Sequence, residues 1–520
     1  MDKVNKLTRS ATALIVFALI GKLMGFARES LIASYFGAGM ETDAFNAALR
    51  STNLLTAVVS NAIANTFIPM LSKVRKEEGE SKVKYHTNNM LCLSIVVGVV
   101  MAGLGVLVAP FIVNIVGGGF DAETFDLTLQ LTKIGMPVII FAAVVGVMTG
   151  FLQSEGHFAA TGAIPIPLNL VYIIYLIFLS GQFGIFGLTI ASVLGIVAQA
   201  IFLFPETKRA GHRYFPVLDV KDKYVRHAME LSIPVLLSVA INDVNVVVNT
   251  RFASGLQTGT VTWLNNANKL NVLVLGIFIS AITAVAFPIL SKNFSEGDMV
   301  SGRKSMAAGT RLIMLITIPA MVGLVVLAQP IVELAFMRNK FTQFDADMTA
   351  QALRFYAPAL CALSLSNLLN RVYYSLQDTK TPLIISGVSV ILNILFNSIL
   401  VKVLGHMGLA LGLSIATNIS VFISFVVLRR KLIHFYGFSY LRAAIKNFVA
   451  AGIMGIVAYF GYFGLISVLP ILETRTLFKL ITLLVSVFLA VLTYGGVSYI
   501  LGVGEVKMAV DIIKKKFSRS

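Results

Sequence analysis

Apolar residues fill long stretches of this chain without a single Asp, Glu, Lys or Arg: residues 87–116, 159–205, 407–428, 447–472 and 480–504. Each meets or exceeds the roughly 20 residues that a helix needs to cross the hydrocarbon core of a bilayer. Polar positions are confined to short breaks between such stretches, so the pattern predicts an all-α polytopic membrane protein of about 14 transmembrane helices. The first hydrophobic stretch lacks a small-residue cleavage site and is expected to be retained as a helix.

The stretches are not independent. Residues 67–73 read F-I-P-M-L-S-K and residues 287–292 read F-P-I-L-S-K, each before a polar loop with Glu and Gly. Leu152-Gln153, ahead of Leu168-Asn169, is echoed by Leu376-Gln377 ahead of Leu392-Asn393, and Gly184 with Gly187-Leu188 by Gly405 with Gly408-Leu409. Three echoes in one order predict two six-helix repeats, as in transporters whose halves rock around a central site. The expected organisation is a first repeat over 1–205, a basic cytoplasmic connector over 206–228, a second repeat over 229–430, an extra helix pair over 444–502 and a basic cytoplasmic tail over 503–520. An even number of spans per repeat gives both the same orientation, related by an axis along the membrane normal.

Composition agrees: 57% of the 520 residues are apolar, 13% are charged and the mean hydropathy is +0.84. Lys and Arg gather before the first span, after the second and after the sixth, which predicts both termini on the cytoplasmic side. Arg338 and Lys340 would face outward as exceptions. The net charge of +17 is spread over short loops, so it reads as topology and contact with anionic headgroups and not as a nucleic-acid surface. Cys92 and Cys361 sit in spans as packing residues, and the six histidines form no metal-ligand pattern. No nucleotide-binding motif or long soluble loop is present, which argues against an enzyme and against direct use of ATP.

Ionisable residues inside spans cost on the order of 3 kcal/mol each on insertion scales and usually face a cavity or a partner. Here they are Lys22, Arg28 and Glu29 in the first span, Asp43 and Arg50 in the second, Asp243 and Arg251 in the seventh and Lys269 in the eighth. Cations outnumber acids, which suits an anionic group, and a guanidinium matches phosphate oxygens bidentately. The competing reading pairs Arg28 with Glu29 or Asp43 and lets Lys22 and Lys269 snorkel toward headgroups. Asn242, Asn245, Asn249, Asn265, Asn266 and Asn268 either line a hydrophilic chamber or tie helices together.

Gly25-Phe26-Ala27-Arg28-Glu29, Phe36-Gly37-Ala38-Gly39-Met40, Thr42-Asp43-Ala44-Phe45, Asn53-Leu54-Leu55 and Phe67-Ile68-Pro69 in the first half resemble the MurJ/MviN family of lipid II flippases. So do Ala267-Asn268-Lys269-Leu270, Lys340-Phe341-Thr342 and Gln377-Asp378-Thr379-Lys380-Thr381-Pro382 in the second. The resemblance places the chain in the multidrug/oligosaccharidyl-lipid/polysaccharide exporter superfamily. It implies alternating access around a cationic cavity for the pyrophosphate and sugars of an undecaprenyl-linked peptidoglycan precursor, in the bacterial cytoplasmic membrane. Arg28, Lys269, Lys22 and Arg50 are the implied substrate-binding residues, and Glu29 and Asp43 are gating or structural partners. The extra helix pair corresponds to a groove for the polyprenyl tail. Lys269 stands where the family commonly has arginine, and Thr56 where it often has a second-span arginine. An acidic sodium ligand of some members corresponds to Asn249, leaving Asp243 and Asp378 as acidic candidates for a coupling ion. The driving force is open between the membrane potential, Na+ and H+, with no cofactor. Partners are the lipid-linked glycan, membrane lipids and, as candidates, cell-wall synthesis proteins. The alternatives are a flippase for another polyprenyl-linked oligosaccharide and, less favoured because a cationic cavity repels cationic drugs, a cation-coupled drug exporter.

Overall fold

The computed structural model describes residues 2–226, 244–432, 437–469, 471 and 476–517, and among them every extended regular element is a helix. Contacts divide the chain into two compact units, Met1–Thr262 with Arg338–Phe341, and Trp263–Met337 with Thr342–Ser520.

The first unit contains α1 (Asp2–Phe36), α2 (Met40–Glu77), α3 (Glu80–Gly117), α4 (Ala122–Gly135), α5 (Val138–Ser154), α6 (Phe158–Gly162), α7 (Pro165–Phe178), α8 (Ser180–Arg209) and α9 (residues 244–254). Its main core forms where α2 crosses α5 and α3, around Phe67, Leu71, Ile139, Val147 and Phe151. Gly150 makes this crossing: a Cβ there would stand 2.6 Å from the Phe67 ring. A second core joins α1, α2, α7 and α8 through Ile32, Phe45, Tyr172, Leu176 and Leu188.

The second unit contains nearly all of α10 (Thr260–Ser295), then α11 (Met299–Val326), α12 (Ala328–Phe336), α13 (Gln343–Tyr356), α14 (Ala359–Ser375), α15 (Lys380–Leu404) and α16 (His406–Lys431). It continues with α17 (Gly437–Tyr459), a π-helical turn (Phe460–Gly464), α18 (Leu465–Val468), α19 (Thr476–Ile500) and α20 (Gly504–Phe517). Ile313, Ile318, Leu368, Leu369, Tyr373, Ala450 and Met454 form its core. The pair α17 and α19 is fastened to the rest of this unit at three levels. Lys479 pairs with Glu333 of α12 at 3.1 Å, Tyr494 donates to the Leu315 carbonyl at 2.8 Å, and Arg311 meets Glu505 at 2.5 Å and Ser439 at 3.3 Å.

Among the described residues eight helices are long and apolar enough to span, or ten if each bent pair, α4 with α5 and α13 with α14, is one span. The remainder of the expected fourteen would fall on α1, α2 and α10, of 35, 38 and 36 residues, and on the expected seventh span, whose residues 227–243 lie outside the described residues.

The duplication extends to backbone detail. α4 and α5 meet at 42° before Pro137, and α13 and α14 at 46° before Pro358. Proline lacks the amide proton that a continuous helix needs there, so both breaks follow from sequence. Asp121 caps α4 by accepting from the Thr124 amide, and Thr342 caps α13 by accepting from that of Asp345. Gly156 and Gln377 both turn left-handed, with φ of 79° and 59°. Gly184 (φ 53°, ψ −146°) and Gly405 (φ 56°, ψ −132°) share one kink. Each pair is 221 residues apart. The Leu152-Gln153 and Leu376-Gln377 pairing is therefore three residues out of register. The carbonyl of Leu152 accepts from His157 at 2.8 Å, and its true counterpart Tyr373 accepts from Asp378 at 2.9 Å.

After α8 the connector runs without regular structure from residue 212 to 219. Asn88 and Asn89 of α3 hold it by donating to the carbonyls of Arg213 and Asp219 and accepting from the amides of Phe215 and Asp219. The buried His86 ring bonds Asp222 at 2.6 Å. His212 is buried against Phe151 and Tyr214, and neither ring nitrogen has a hydrogen bond. Burial, with Lys84 adding to it, pushes its pKa from 6.5 down to about 4. A docked ring thus resists a proton that a released ring accepts, so docking weakens as pH falls from about 6.5 to about 4. Protection factors for hydrogen exchange over residues 206–226, taken against the intrinsic rate at each pH, are expected to fall across that window, and less so in His212→Phe; an equal fall in both would contradict the assignment.

Candidate substrate site

In α1, Glu29 is buried at 9% exposure and receives the Arg28 guanidinium at 2.6 Å, while the Arg28 carbon Cζ stands 4.8 Å from the Tyr172 ring centroid of α7. These two partners fix the fork without covering it, since 22% of the Arg28 side chain remains exposed. Its buried Nε has no hydrogen-bond partner. Lys22 lies nearly two turns earlier and is exposed; Arg50 in α2 is half-buried. Asn169 of α7 donates to the Gly21 carbonyl at 3.2 Å, tying α7 to α1 next to Lys22.

Asp43 is 2% exposed in the first turn of α2. Its carboxylate accepts from the Gly259 amide at 2.7 Å, the Thr262 amide at 2.8 Å and the Thr262 hydroxyl at 2.6 Å. These are the amides at the start of α10, so Asp43 acts as a helix cap supplied from a distant segment, on the end where the helix dipole favours an anion. Asn46, one turn on, donates to the Thr262 hydroxyl at 3.2 Å.

Asn249 in α9 is half-buried and donates to Asn245 at 3.3 Å. Asp243 lies outside the described residues. In the second unit Lys269 is half-buried, one turn after Asn265 on α10. Asp378 stands just before α15, where its carboxylate accepts from the Thr381 amide at 3.0 Å and pairs with Lys431. Burial works against that charge, but Lys431 and Thr381 outweigh it and bring the carboxyl to about 2. Among the described residues no three His, Cys, Asp or Glu side chains converge as metal ligands.

Two features were absent from the sequence reading. Tyr172 is 144 residues from Arg28, and no pattern signals the pair. Asn393 and Asn397 of α15 are fully buried and joined at 3.2 Å, a polar pair within an apolar span.

Duplicated helical units, spans interrupted at paired prolines and a guanidinium presented within a span define a membrane transporter. The MurJ model, described as lipid II flippase MurJ, matches residues 32–472. A probable lipid II flippase MurJ of Vibrio cholerae is 31% identical over 459 residues, 86% of each chain. The lipid II flippase MurJ of Burkholderia cenocepacia is 27% identical, covering 80% of this chain and 83% of that one. A solved lipid II flippase MurJ in an inward closed conformation superposes with a TM-score of 0.76 at 22% identity, over 94% of this chain and 98% of that one. An inward-facing multidrug resistance transporter of the MATE family, in the MOP superfamily, gives 0.66 at 14% identity over 81% and 98%. The chain belongs to the MurJ family.

Removing the Asp43 carboxylate strands the Gly259 and Thr262 donors, and losing hydrogen bonds to a buried charged group costs about 2–4 kcal/mol. Asp43→Ala is expected to lower the melting temperature of the purified protein clearly. Asp43→Asn, which keeps an acceptor, should lie between; an unchanged Asp43→Ala would refute the capping role.

Proposed function

We infer that this chain is a flippase, not an enzyme, and carries lipid II from the inner to the outer leaflet of the cytoplasmic membrane by alternating access. Family membership supplies the substrate class. The observation that carries the reading within this chain is Arg28, oriented by Glu29 and Tyr172 yet with 22% of its side chain exposed. A guanidinium in that setting is pre-organised for a doubly charged pyrophosphate and loses little side-chain freedom on binding it. Lys22, Arg50 and Lys269 add positive charge, with Lys269 acting as a point charge and not as a fork.

Asp43 holds the first turn of α10 in place while the substrate passes. The α17–α19 pair exposes Ile456, Phe460, Leu484, Phe488 and Val491, which supports a role in lying along the polyprenyl tail. An inside-negative potential favours outward movement of the anionic headgroup, at about 2.3 kcal/mol per charge per 100 mV. Asn249, Asp243 and Asp378 are the positions at which Na+ or H+ coupling is to be sought.

Rescue of a bacterial strain depleted of its own lipid II flippase tests the reading. The unaltered chain is expected to restore growth and Arg28→Ala, at equal membrane abundance, to fail. If the well-expressed unaltered chain fails, the substrate is another polyprenyl-linked glycan. With both termini cytoplasmic, green fluorescent protein fused after Ser520 should fluoresce and alkaline phosphatase at the same point should be inactive; the reverse result would invert the topology.

A further inference from the structure

α14 is buried on one side through Leu365, Leu368, Leu369 and Val372, and its only exposed residues are Asn367 and Tyr374. Half-buried Asn370 and Arg371 lie between them. The spacing i, i+3, i+4, i+7 puts all four on one helical face. None of the Leu or Val side chains of this helix is exposed, whereas α15 beside it exposes Ile384, Ile391, Leu395 and Val403, as a helix facing lipid does. A polar stripe with an arginine on the open face of a membrane helix belongs against water and not against acyl chains.

The repeat register shows that the fold itself does not require these residues. The positions 221 residues earlier are Gly146, Thr149, Gly150 and Gln153 of α5. In that repeat the face is a packing surface: Gly150 lies under the Phe67 ring and Gly146 against Ile63. In the second repeat the two glycines have become Asn367 and Arg371, and the face is exposed at Asn367 and Tyr374 and half-buried at Asn370 and Arg371.

We propose that Asn367, Asn370, Arg371 and Tyr374 form a ligand-binding wall in the second unit for the phosphate-linked sugar portion of the transported lipid. Arg371 supplies the guanidinium for a phosphate oxygen pair. The two amides donate to and accept from sugar hydroxyl and acetamido groups. The Tyr374 ring offers an apolar face with a polar rim for a pyranose ring. This assignment rests on the flippase reading and extends the site to residues beyond the cationic set around Arg28.

Two measurements on the full-length protein in nanodiscs test it. With Cys92 and Cys361 replaced by Ala, Asn367→Cys is expected to react with a membrane-impermeant maleimide and to be protected by lipid II bearing a shortened tail. In direct binding of that same lipid, Arg371→Ala should weaken affinity roughly tenfold, the loss of one charge-assisted contact. Arg371→Lys should lose less, and Ile391→Ala on the lipid-facing side of α15 nothing. A matched melting temperature excludes a folding defect in Arg371→Ala, and Arg371→Lys keeps the test open if Ala unfolds. An unlabelled Asn367→Cys, or equal affinity in the parent and in Arg371→Ala, overturns the proposal. Absence of lipid II binding by the unaltered chain removes the flippase reading instead, and Asn367→Cys labelling still reports whether the face meets water.

Discussion

Backbone amides and carbonyls have no water to bond within a bilayer, and this constraint governs the architecture. Every uninterrupted stretch satisfies it by being helical. Where the helix breaks, the unused groups must be met by side chains. At the break before Pro358 the carbonyls of Phe355, Tyr356 and Pro358 accept from Ser414, Asn271 and Asn418, at 2.5, 3.5 and 3.1 Å. Some of the polar residues within apolar helices are the complement of these breaks, whereas Ser51, Ser364 and Thr417 return to the carbonyl four residues back in their own helix. Asp43 obeys the same rule from the other side, because the unused amides at the start of α10 gather a carboxylate from α2.

That distinction separates polar groups serving the fold from those available to a ligand. Ser414, Asn418 and Asn169 are spent on carbonyls. Arg28 is held by Glu29 and Tyr172 but not consumed by them, and a transporter needs such a group: oriented, desolvated on one side and open on the other. The membrane cost of the arginine is offset by its neighbour carboxylate.

Much of this was legible in the chain. Charge-free windows marked the spans because burying an ion is costly, and paired motifs marked the duplication because both copies retain the same turn chemistry. The register was harder. Leu-Gln recurs at the wrong spacing, and at this turn the shared left-handed conformation of Gly156 and Gln377 corrects the register, a conformation that glutamine does not advertise. The Arg28 and Glu29 contact could be anticipated from adjacency, whereas Tyr172 could not, since nothing local links residues 144 apart. Asp43 and Thr262 are 219 residues apart, and no pattern states that one caps the helix of the other. The polar face of α14 was present as a periodicity, hidden because Pro358 divides its span into two short pieces.

The fastening of α17 and α19 has a mechanical meaning. Lys479 with Glu333, Tyr494 with the Leu315 carbonyl and Arg311 with Glu505 and Ser439 are spaced along the pair, so neither end is free to swing as a hinge. The pair is a stiff spar bolted to the second repeat. A hydrocarbon chain lying along it would be towed as a rigid attachment of that repeat, with no slack of its own.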